Sequence, residues 1–319
     1  MHIGWHYDYG ADQIQEERMI IEVNNLRKEY GNKIILDNLN MAIPEASVYG
    51  LVGKNGAGKT TFLNILAGIS DATSGDCIVY GNNIRKGKNA PGILSYLPDL
   101  PNFFDYLTVK EYIRFILSAN TVQKINHFAD AEKKIEDIGI SKNAKIKTLS
   151  RGNKQKLGIL IAIITQPKVL VLDEPTSALD PIGRREVMTL IRQLREQGIT
   201  VLFSSHILSD MELVCDRIGF LHKGTIQREI DLNSRTDQES YEIQINEADK
   251  ASDRICQLLP EYKIQVTAEK NKIVCHPKNR QNNQSEFFSA ISRLDMEVLS
   301  VKKTYRYDLE AVMDEVLSV

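Results

Sequence analysis

Gly53-Lys54-Asn55-Gly56-Ala57-Gly58-Lys59-Thr60 is the stretch of this chain that decides its fold. It fits the pattern G-x-x-x-x-G-K-[ST] of a phosphate-binding loop. The apolar run 48–52 before it is typical of a buried strand, and residues 60–67 after it carry apolar side chains at helical spacing, with Gly68 as a stop. The sequence therefore predicts a strand, a glycine-rich turn and a helix in succession.

This loop has the residue types that binding of a polyphosphate requires. Its glycines permit a tight turn whose backbone N–H groups converge at the positive end of the following helix. Lys59 is expected to reach the β- and γ-phosphates of a nucleotide, and the Thr60 hydroxyl is expected to hold Mg²⁺. The alternative is a glycine-rich turn that binds nothing, and the lysine, the threonine and both flanking elements in register argue against it.

Length and composition are those of an ordinary globular chain. Its 319 residues suggest about two domains, and 42% of them are hydrophobic and 26% charged. The formal net charge of −2 gives no overall attraction to nucleic acid or to an anionic membrane. No apolar stretch approaches the roughly 18 residues of a spanning helix, so we expect a cytoplasmic protein that reaches a membrane only through a partner. Four cysteines without C-x-x-C spacing predict buried thiols, not disulfides or metal ligands.

The pattern along the chain predicts three segments. Residues 1–18 show no periodicity and are expected to form a flexible extension, since a strand pattern begins at Met19. Residues 19–229 predict one α/β block, in which early strands form an antiparallel layer and later strand–helix alternation forms a parallel sheet. Residues 230–319 begin with a polar linker and predict a small α+β domain, for which we consider a ferredoxin-like arrangement.

The predicted elements follow apolar runs and helical spacing. Strands of the larger block are predicted at 19–24, 33–44, 47–52, 76–80, 93–97, 168–173, 199–204 and 217–222, the last joined to 225–229 by a turn at Lys223-Gly224. Its helices are predicted at 59–68, 108–118, 128–138, 150–165, 180–197 and 207–214. The second domain is predicted to have strands at 241–245, 262–268, 272–276 and 298–303 and helices at 249–259, 287–294 and 307–317.

An acidic motif follows one of the predicted buried strands. The apolar run 169–172 ends in Asp173 and Glu174. In phosphate-loop enzymes a carboxylate at this place holds Mg²⁺, which we expect of Asp173, acting through water. Glu174 is then placed to polarise the attacking water. Because many strands end in an acid, the motif is informative only together with the phosphate loop.

From about residue 20 to 228 the chain resembles the ATP-binding cassette (ABC) ATPases. Leu149-Ser150-Arg151-Gly152-Asn153 is similar to the family signature L-S-G-G-Q, and it lies a short distance before the acidic strand. The remaining matches are Ser177-Ala178-Leu179-Asp180 with the D-loop, His206 with the switch histidine, Tyr30 with the aromatic residue that stacks on adenine, and Tyr96-Leu97-Pro98-Asp99 with the Q-loop. The resemblance implies a P-loop NTPase cassette with a mixed sheet, an antiparallel β layer and a helical signature subdomain, followed by the accessory domain.

The resemblance implies that the protein is a transport ATPase. Such cassettes bind ATP and Mg²⁺ and work as a homodimer, or as a heterodimer with a related cassette, on an integral membrane permease. In the dimer, Ser150 and Gly152 of one copy would complete the ATP site of the other. An acidic residue at Asp99 is similar to the exporter branch, which often has Y-L-P-E. A soluble ABC ATPase acting on ribosomes or DNA is the alternative, although such relatives usually carry two cassettes and one phosphate loop is present here.

The motifs and the resemblance together predict the site residues. The predicted catalytic residues are Glu174, His206 and Lys59. The predicted nucleotide-binding residues are Tyr30, Gly53, Lys54, Asn55, Gly56, Ala57, Gly58, Lys59, Thr60, Thr61, Ser150 and Gly152. The predicted Mg²⁺ ligands are Thr60, Asp99 and Asp173. Each of three site residues also has a plain structural interpretation when it is considered alone: a helix N-cap for Ser150, a structural histidine for His206 and a core aromatic residue for Tyr30.

Three further features leave alternatives open. Arg151, Asn153 and Asp99 depart from the family pattern, and Arg151 could direct a charge at phosphate or face solvent. Six cations within residues 142–156 suggest nucleic-acid binding, a solvated helix face or an added field for ATP, and we expect no nucleic acid because the chain is acidic overall. The aromatic segment 99–109 suits either docking of a permease or packing inside a helical subdomain.

Overall fold

The computed structural model describes residues 18–84, 92–119, 135, 138–233, 239–246, 248–266, 271–278, 284–305 and 309–318. The chain separates into two units, Met1–Ile230 and Asp231–Val319. No helix among the described residues is long and apolar enough to cross a membrane.

Alternating apolar residues build an antiparallel sheet at the start of the first unit. Its strands, β1 (Met19–Tyr30), β2 (Lys33–Pro44), β4 (Ser74–Val79) and β5 (Asn82–Asn83), lie in the order β2-β1-β4-β5. The prediction of a first strand over 19–24 was too short, because β1 continues to Tyr30. A register shift between Val23 and Leu26, with Asn25 at a φ of 49°, breaks the period-two pattern that marks a strand in sequence.

The second sheet places the predicted site. Its strands are β3 (Val48–Val52), β6 (Leu94–Leu97), β7 (Val169–Leu172), β8 (Thr200–Ser205), β9 (Arg217–His222) and β10 (Thr225–Asp231). They lie in the order β10-β9-β3-β8-β7-β6, and the pairs from β9 to β6 are parallel. Every residue of β3, β7 and β8 is buried, as expected of a sheet covered on both faces. Because parallel strands end at one edge, the segments that follow β3, β7 and β8 lie together.

Helices connect these strands. They are α1 (Lys59–Leu66), α2 (Val109–Ala119), α3 (Arg151–Ile164), α4 (Pro181–Glu196) and α5 (Leu208–Val214), with a short 3-10 helix at Ile146–Thr148 before α3. The Asp180 side chain caps α4 by accepting a hydrogen bond from the Gly183 N–H at 3.0 Å. The helix predicted over 128–138 lies outside the described residues except at positions 135 and 138.

One apolar core joins the two sheets of this unit. It contains Ile21 and Leu36 from the antiparallel sheet, Phe62 from α1, and Val169 and Leu202 from the parallel sheet, and all five are fully buried. Burial of each such side chain contributes about 1.5–3 kcal/mol. The core therefore fixes both β3 and α1, the two elements between which the glycine-rich loop is held.

The second unit has its own sheet and core. Its strands are β11 (Glu239–Ile245), β12 (Tyr262–Val266), β13 (Lys272–Pro277) and β14 (Val298–Tyr305), and its helices are α6 (Ala248–Leu258), α7 (Gln284–Ile291) and α8 (Leu309–Ser318). The antiparallel order β12-β13-β11-β14 is that of a ferredoxin-like split β-α-β unit. Its core includes Tyr241 stacked on Phe287, with ring centroids 3.9 Å apart.

The four cysteines are free thiols in two different environments. Burial raises the pKa of Cys77 and of Cys275 to about 12. Burial, followed by the nearby Asp216 carboxylate, raises the pKa of Cys215 well above its usual value. Cys256 is exposed, so the expectation that all four thiols are buried was wrong for this residue. It lies on the solvent side of the amphipathic helix α6.

A thiol titration checks this arrangement. Since the thiolate is the reactive form, an aromatic disulfide reagent at mildly alkaline pH is expected to modify one thiol per native chain rapidly and the other three only after denaturation. Cys256→Ser should remove the rapid phase. A second rapid thiol in the native protein would contradict the burial of Cys77, Cys215 or Cys275.

Candidate nucleotide site

The glycine-rich loop has the backbone conformation that its sequence suggests. Gly56 and Gly58 have φ angles of 86° and 109°, in the left-handed region where a side chain is strained. A Cβ added at Gly53 would lie 2.5 Å from the backbone oxygen of Leu221 on the neighbouring strand β9. The loop therefore depends on glycine at each of these three positions.

The residues around the loop fit a polyphosphate. No side chain caps the N-terminus of α1 and its first turn contains no acidic residue, so the positive end of the helix is not neutralised from within. Lys54, Asn55, Gly56 and Thr60 are exposed, and Thr61 is half-buried. The Lys59 side chain lies along the loop and donates a hydrogen bond from Nζ to the backbone oxygen of Gly53 at 2.6 Å.

Oxygen donors suited to Mg²⁺ lie at the same edge of the sheet. Within the described residues, no group of three or more His, Cys, Asp and Glu side chains could hold a metal ion unaided. Mg²⁺ is commonly bound by one or two protein oxygens together with phosphate oxygens and water. The Thr60 hydroxyl and the Asp173 carboxylate are donors of this kind, and they fit such shared binding.

Of the three predicted catalytic residues, Lys59 and His206 each contact Glu174. Glu174 Oε1 lies 3.5 Å from Lys59 Nζ, and Glu174 Oε2 lies 2.8 Å from Nδ1 of His206. The Glu174 and Lys59 side chains are 14% and 7% exposed, whereas that of His206 is 57% exposed. The arrangement places a carboxylate between a buried lysine and a histidine that opens to solvent. It can therefore orient a water molecule beside bound phosphate.

Asp173 is held by a serine to which the sequence patterns assigned no role. Ser204 Oγ donates a hydrogen bond to Asp173 Oδ1 at 2.6 Å and accepts one from the Glu174 N–H at 2.9 Å. Glu174 has a φ of 48°, which costs a residue with a side chain on the order of 1–3 kcal/mol. The available signal was a pair of serines, Ser204 and Ser205, directly after the apolar run 201–203 in the strand beside β7.

A second buried link that the sequence did not predict lies close by. Thr176 Oγ1 donates to Asp210 Oδ2 at 2.8 Å, and both residues are buried. Thr176 follows the acidic pair, and Asp210 belongs to α5, the helix that follows His206. This bond fixes the segment after β7 against the segment after β8.

Two departures from the family pattern contact each other. Asp99 Oδ1 accepts a hydrogen bond from Ser177 Oγ at 2.7 Å and lies 3.7 Å from Nη2 of Arg151. Arg151, whose side chain is 61% exposed, therefore faces the Asp99 carboxylate. Burial and then the carboxylates of Asp173 and Asp99 raise the pKa of Tyr96, so this ring lies near both acids.

Three of the six cations in the basic segment lie beside carboxylates. Besides the Arg151 contact, Lys154 Nζ lies 2.9 Å from Asp105 Oδ1, and Lys156 Nζ contacts Glu186 Oε2. The partners belong to different parts of the fold, since Asp105 precedes α2 and Glu186 lies on α4. These pairs favour a structural role for the cations of α3 over a nucleic-acid surface.

Ser150 and Gly152 open helix α3. The exposed Ser150 hydroxyl accepts a hydrogen bond from the Asn153 N–H at 3.2 Å, so Ser150 is an N-cap. A Cβ added at Gly152 would lie 3.2 Å from Leu179 Cδ2 and 3.4 Å from the backbone oxygen of Ala178. The start of α3 thus packs closely on the Ser177–Asp180 loop, while its N-terminal end remains open to solvent.

Tyr30 ends β1 and is 55% exposed, so it is not a core aromatic residue. Lys28 Nζ lies 4.6 Å from the centroid of its ring, which is within cation–π distance. An exposed aromatic ring supported by a cation is suited to stacking on a nucleobase.

Comparison with known proteins identifies the family. The family model described as ABC transporter matches residues 36–177. The chain is 38% identical over 212 residues to the lantibiotic transport ATP-binding protein SrtF of Streptococcus pyogenes, covering 65% of this chain and 89% of that protein. The chain belongs to the ABC transporter family. This ABC ATPase is also 34% identical over 238 residues to the bacitracin transport ATP-binding protein BcrA of Bacillus licheniformis, covering 73% and 77% of the two chains.

Solved structures agree with the fold. The ABC ATPase matches the dimeric structure of a bacterial ABC transporter cassette with a TM-score of 0.61 at 25% identity, covering 67% of this chain and 99% of that one. It matches an ATP-binding subunit of an ABC transporter with a TM-score of 0.60 at 24% identity, covering 67% and 90%. The predicted fold class is confirmed. The chain is an ATP-binding subunit that hydrolyses ATP for transport.

Proposed function

We propose that this ABC ATPase drives an exporter, that it binds two MgATP between two protomers, and that it acts on a separate integral membrane permease. The observation that carries the proposal is the contact of Lys59, Glu174 and His206 at the common edge of β3, β7 and β8. The lantibiotic and bacitracin transport proteins that it resembles support a peptide antibiotic as the cargo. Its place would be the cytoplasmic face of a membrane, through the permease.

Each residue of the cluster has a distinct proposed role. The loop amides and Lys59 stabilise negative charge on the phosphates, as transfer of a phosphoryl group requires. Glu174 orients and deprotonates the attacking water. His206 positions the Glu174 carboxylate and donates a hydrogen bond to the γ-phosphate. Mg²⁺ would supply charge neutralisation beside the phosphates, held by Thr60 and, through water, by Asp173, with Asp99 touching the ion or its water. Tyr30 stacks on adenine.

Completion of the site requires a second cassette, identical or related. The open N-terminus of α3, with Ser150 and Gly152, is proposed to bind the γ-phosphate held by the partner's loop, since a helix N-terminus is suited to an anion. Asp231–Val319 is proposed as an accessory domain of this assembly. Residues 1–18 are proposed as an extension, and residues 1–17 lie outside the described part of the chain.

Docking of the permease is proposed at the aromatic segment before α2. Leu100 and Tyr106 are 64% and 71% exposed, which favours docking over internal packing for these two side chains, whereas Phe104 packs edge-on against Phe115 of α2 with ring centroids 5.3 Å apart. The segment is tied to the start of α3, because the Ile146 N–H donates to the backbone oxygen of Leu107 at 3.0 Å and Lys154 pairs with Asp105. Movement of this segment would therefore also move the start of α3, where Ser150 lies.

Asp99→Gln tests the coupling between permease and cassette. The variant removes the charge that faces Arg151 but keeps an acceptor for Ser177, so ATP affinity should stay similar while permease-stimulated hydrolysis falls roughly threefold to tenfold, an effect read as a change in kcat. The measurement compares ATPase rates of the reconstituted complex with and without permease. Arg151→Gln, which removes the other charge, should give the same loss. Unchanged stimulation in both variants would contradict this role.

Direction of transport is tested in cells. Coexpression of the chain with its permease should lower the accumulation of a fluorescently labelled peptide antibiotic, and Glu174→Gln should restore accumulation. Increased accumulation with the active pair would show import and contradict the exporter proposal, and a copurifying ribosome or nucleic acid in place of a permease would favour the soluble alternative.

A further inference from the structure

We propose that Ser204 is a positioning residue for ATP hydrolysis, because its single buried hydroxyl fixes both the Asp173 carboxylate and the Glu174 backbone. The inference rests on the proposed roles of those two acids. Ser204 is fully buried, and its hydroxyl contacts the two acids, through which it is proposed to act.

The sheet register brings Ser204 to the acids. Strands β7 and β8 are parallel, and Leu172 lies opposite Phe203. The residues that follow this pair along the two chain segments, Asp173 and Ser204, are therefore neighbours. Ser204 is fully buried, and Asp173 is 1% exposed. Solvent therefore does not compete for the hydrogen bond between them.

The directions of both hydrogen bonds are determined by chemistry. A serine hydroxyl has one proton to donate and can accept further hydrogen bonds. The Glu174 N–H is a donor, so Ser204 Oγ accepts from it at 2.9 Å, and the hydroxyl proton goes to Asp173 Oδ1 at 2.6 Å. A bond to a carboxylate is charge-assisted and short, as observed here.

Fixing Asp173 defines which of its oxygens is available. Its backbone N–H donates to the backbone oxygen of Leu97 at 2.9 Å, and Ser204 holds one carboxylate oxygen. With the backbone and one oxygen held, rotation of the carboxylate is restricted. The second oxygen therefore keeps one direction in which it can hold Mg²⁺ or its water.

The effect on Glu174 is exerted through its main chain. Glu174 has a φ of 48°, an uncommon conformation for a residue with a side chain, and its N–H is held by Ser204. From this backbone its carboxylate reaches Lys59 and His206. Loss of the hydroxyl would leave the partly buried Glu174 N–H without its acceptor and would loosen the Glu174 carboxylate.

Strand β8 offers a matched control. Thr200, at the opposite end of the strand, is also fully buried, and its hydroxyl accepts a hydrogen bond from the Ala46 N–H at 2.9 Å. Thr200→Val therefore removes a hydroxyl that accepts from a backbone N–H, as Ser204→Ala does. The hydrogen bond that it removes involves no carboxylate. Both variants should lower thermal stability, Ser204→Ala the more strongly because it also removes the charge-assisted hydrogen bond to Asp173.

The experiment compares full-length Ser204→Ala, Ser204→Thr and Thr200→Val. Ser204→Ala is expected to lower kcat roughly tenfold to a hundredfold at saturating MgATP. It should also weaken binding of Mn²⁺, measured by electron paramagnetic resonance with a non-hydrolysable ATP analogue, while affinity for the metal-free analogue stays the same. Exchange of the Glu174 amide hydrogen should become faster. Thr200→Val should change none of these, and folded Ser204→Thr should restore all of them.

Asp173→Asn and Glu174→Gln separate the inference from the proposed function. If Asp173→Asn loses Mn²⁺ binding and Glu174→Gln loses hydrolysis while Ser204→Ala behaves like Thr200→Val, the inference about Ser204 is wrong and the proposed function stands. If Asp173→Asn and Glu174→Gln retain both properties, the proposed roles of the acids are wrong, and the inference falls with them. Should Ser204→Thr fail to fold, the comparison of Ser204→Ala with Thr200→Val still tests the positioning role of Ser204.

Discussion

Glu174→Gln is expected to abolish nearly all ATP hydrolysis while ATP still binds, so that the protein accumulates as an ATP-bound dimer. The amide cannot accept a proton from water, and loss of a positioned base lowers a rate by roughly a hundredfold to ten-thousandfold. The substitution also removes the negative charge 3.5 Å from Lys59 Nζ, so the γ-phosphate meets less competition for this lysine. Phosphate release measures hydrolysis, and size-exclusion chromatography with and without MgATP measures the dimer.

The control for this variant is the same change at an exposed ion pair. Glu45 pairs with Arg18 on the surface, and Glu45→Gln should hydrolyse ATP at the wild-type rate, since exposed pairs contribute little. Wild-type turnover in Glu174→Gln would refute the role of Glu174 as the base. Loss of hydrolysis without an ATP-dependent dimer would instead contradict the shared site.

Ser150→Asp is expected to eliminate hydrolysis without unfolding the protein. Aspartate caps a helix as well as serine does, so the hydrogen bond to the Asn153 N–H is retained. If the hydroxyl faces the γ-phosphate of a partner's ATP, the added carboxylate meets a like charge at about 4 Å, a repulsion of about 4 kcal/mol at the effective dielectric near a protein surface. We expect ATPase activity to fall by roughly a hundredfold or more, with loss of the ATP-dependent dimer.

A neutral cap provides the matched control for Ser150→Asp. Ser150→Asn caps α3 equally well but adds no charge, and it should retain most activity. Thermal denaturation should show similar stability for both variants, and binding of ATP by the monomer should be unchanged. If Ser150→Asp hydrolysed ATP like Ser150→Asn, then Ser150 would act as a helix cap alone, and the partner's ATP would not lie against it.

The sequence predicted most of the fold of the first unit because its signals are local and strong. The strand before the loop, the loop glycines and the helix after it are adjacent in the chain, so their order alone specifies their geometry. The apolar runs that became β7 and β8 are fully buried, and such runs predict strands of a covered sheet. The first strand was predicted too short because a left-handed Asn25 hides the alternation beyond it.

Residues that act through distant contacts were harder to predict. Ser204 lies 31 positions from Asp173, and nothing in its own neighbourhood shows that the two strands end side by side. The contact between Asp99 and Arg151 likewise depends on how β6 and α3 pack. In the sequence alone, each of the two residues is an isolated departure from the family pattern. Sequence motifs identify the groups that react, whereas the groups that hold them in place follow from the sheet register.

The close pairing of Lys59 with Glu174 has a consequence for the charge balance of the site. A lysine this buried needs an anion nearby, because an unpaired buried charge is strongly destabilising. Glu174 supplies such an anion from within the chain. Because a phosphate is an anion as well, we expect it to compete with the Glu174 carboxylate for this lysine, so that phosphate binding and the position of the proposed base are coupled.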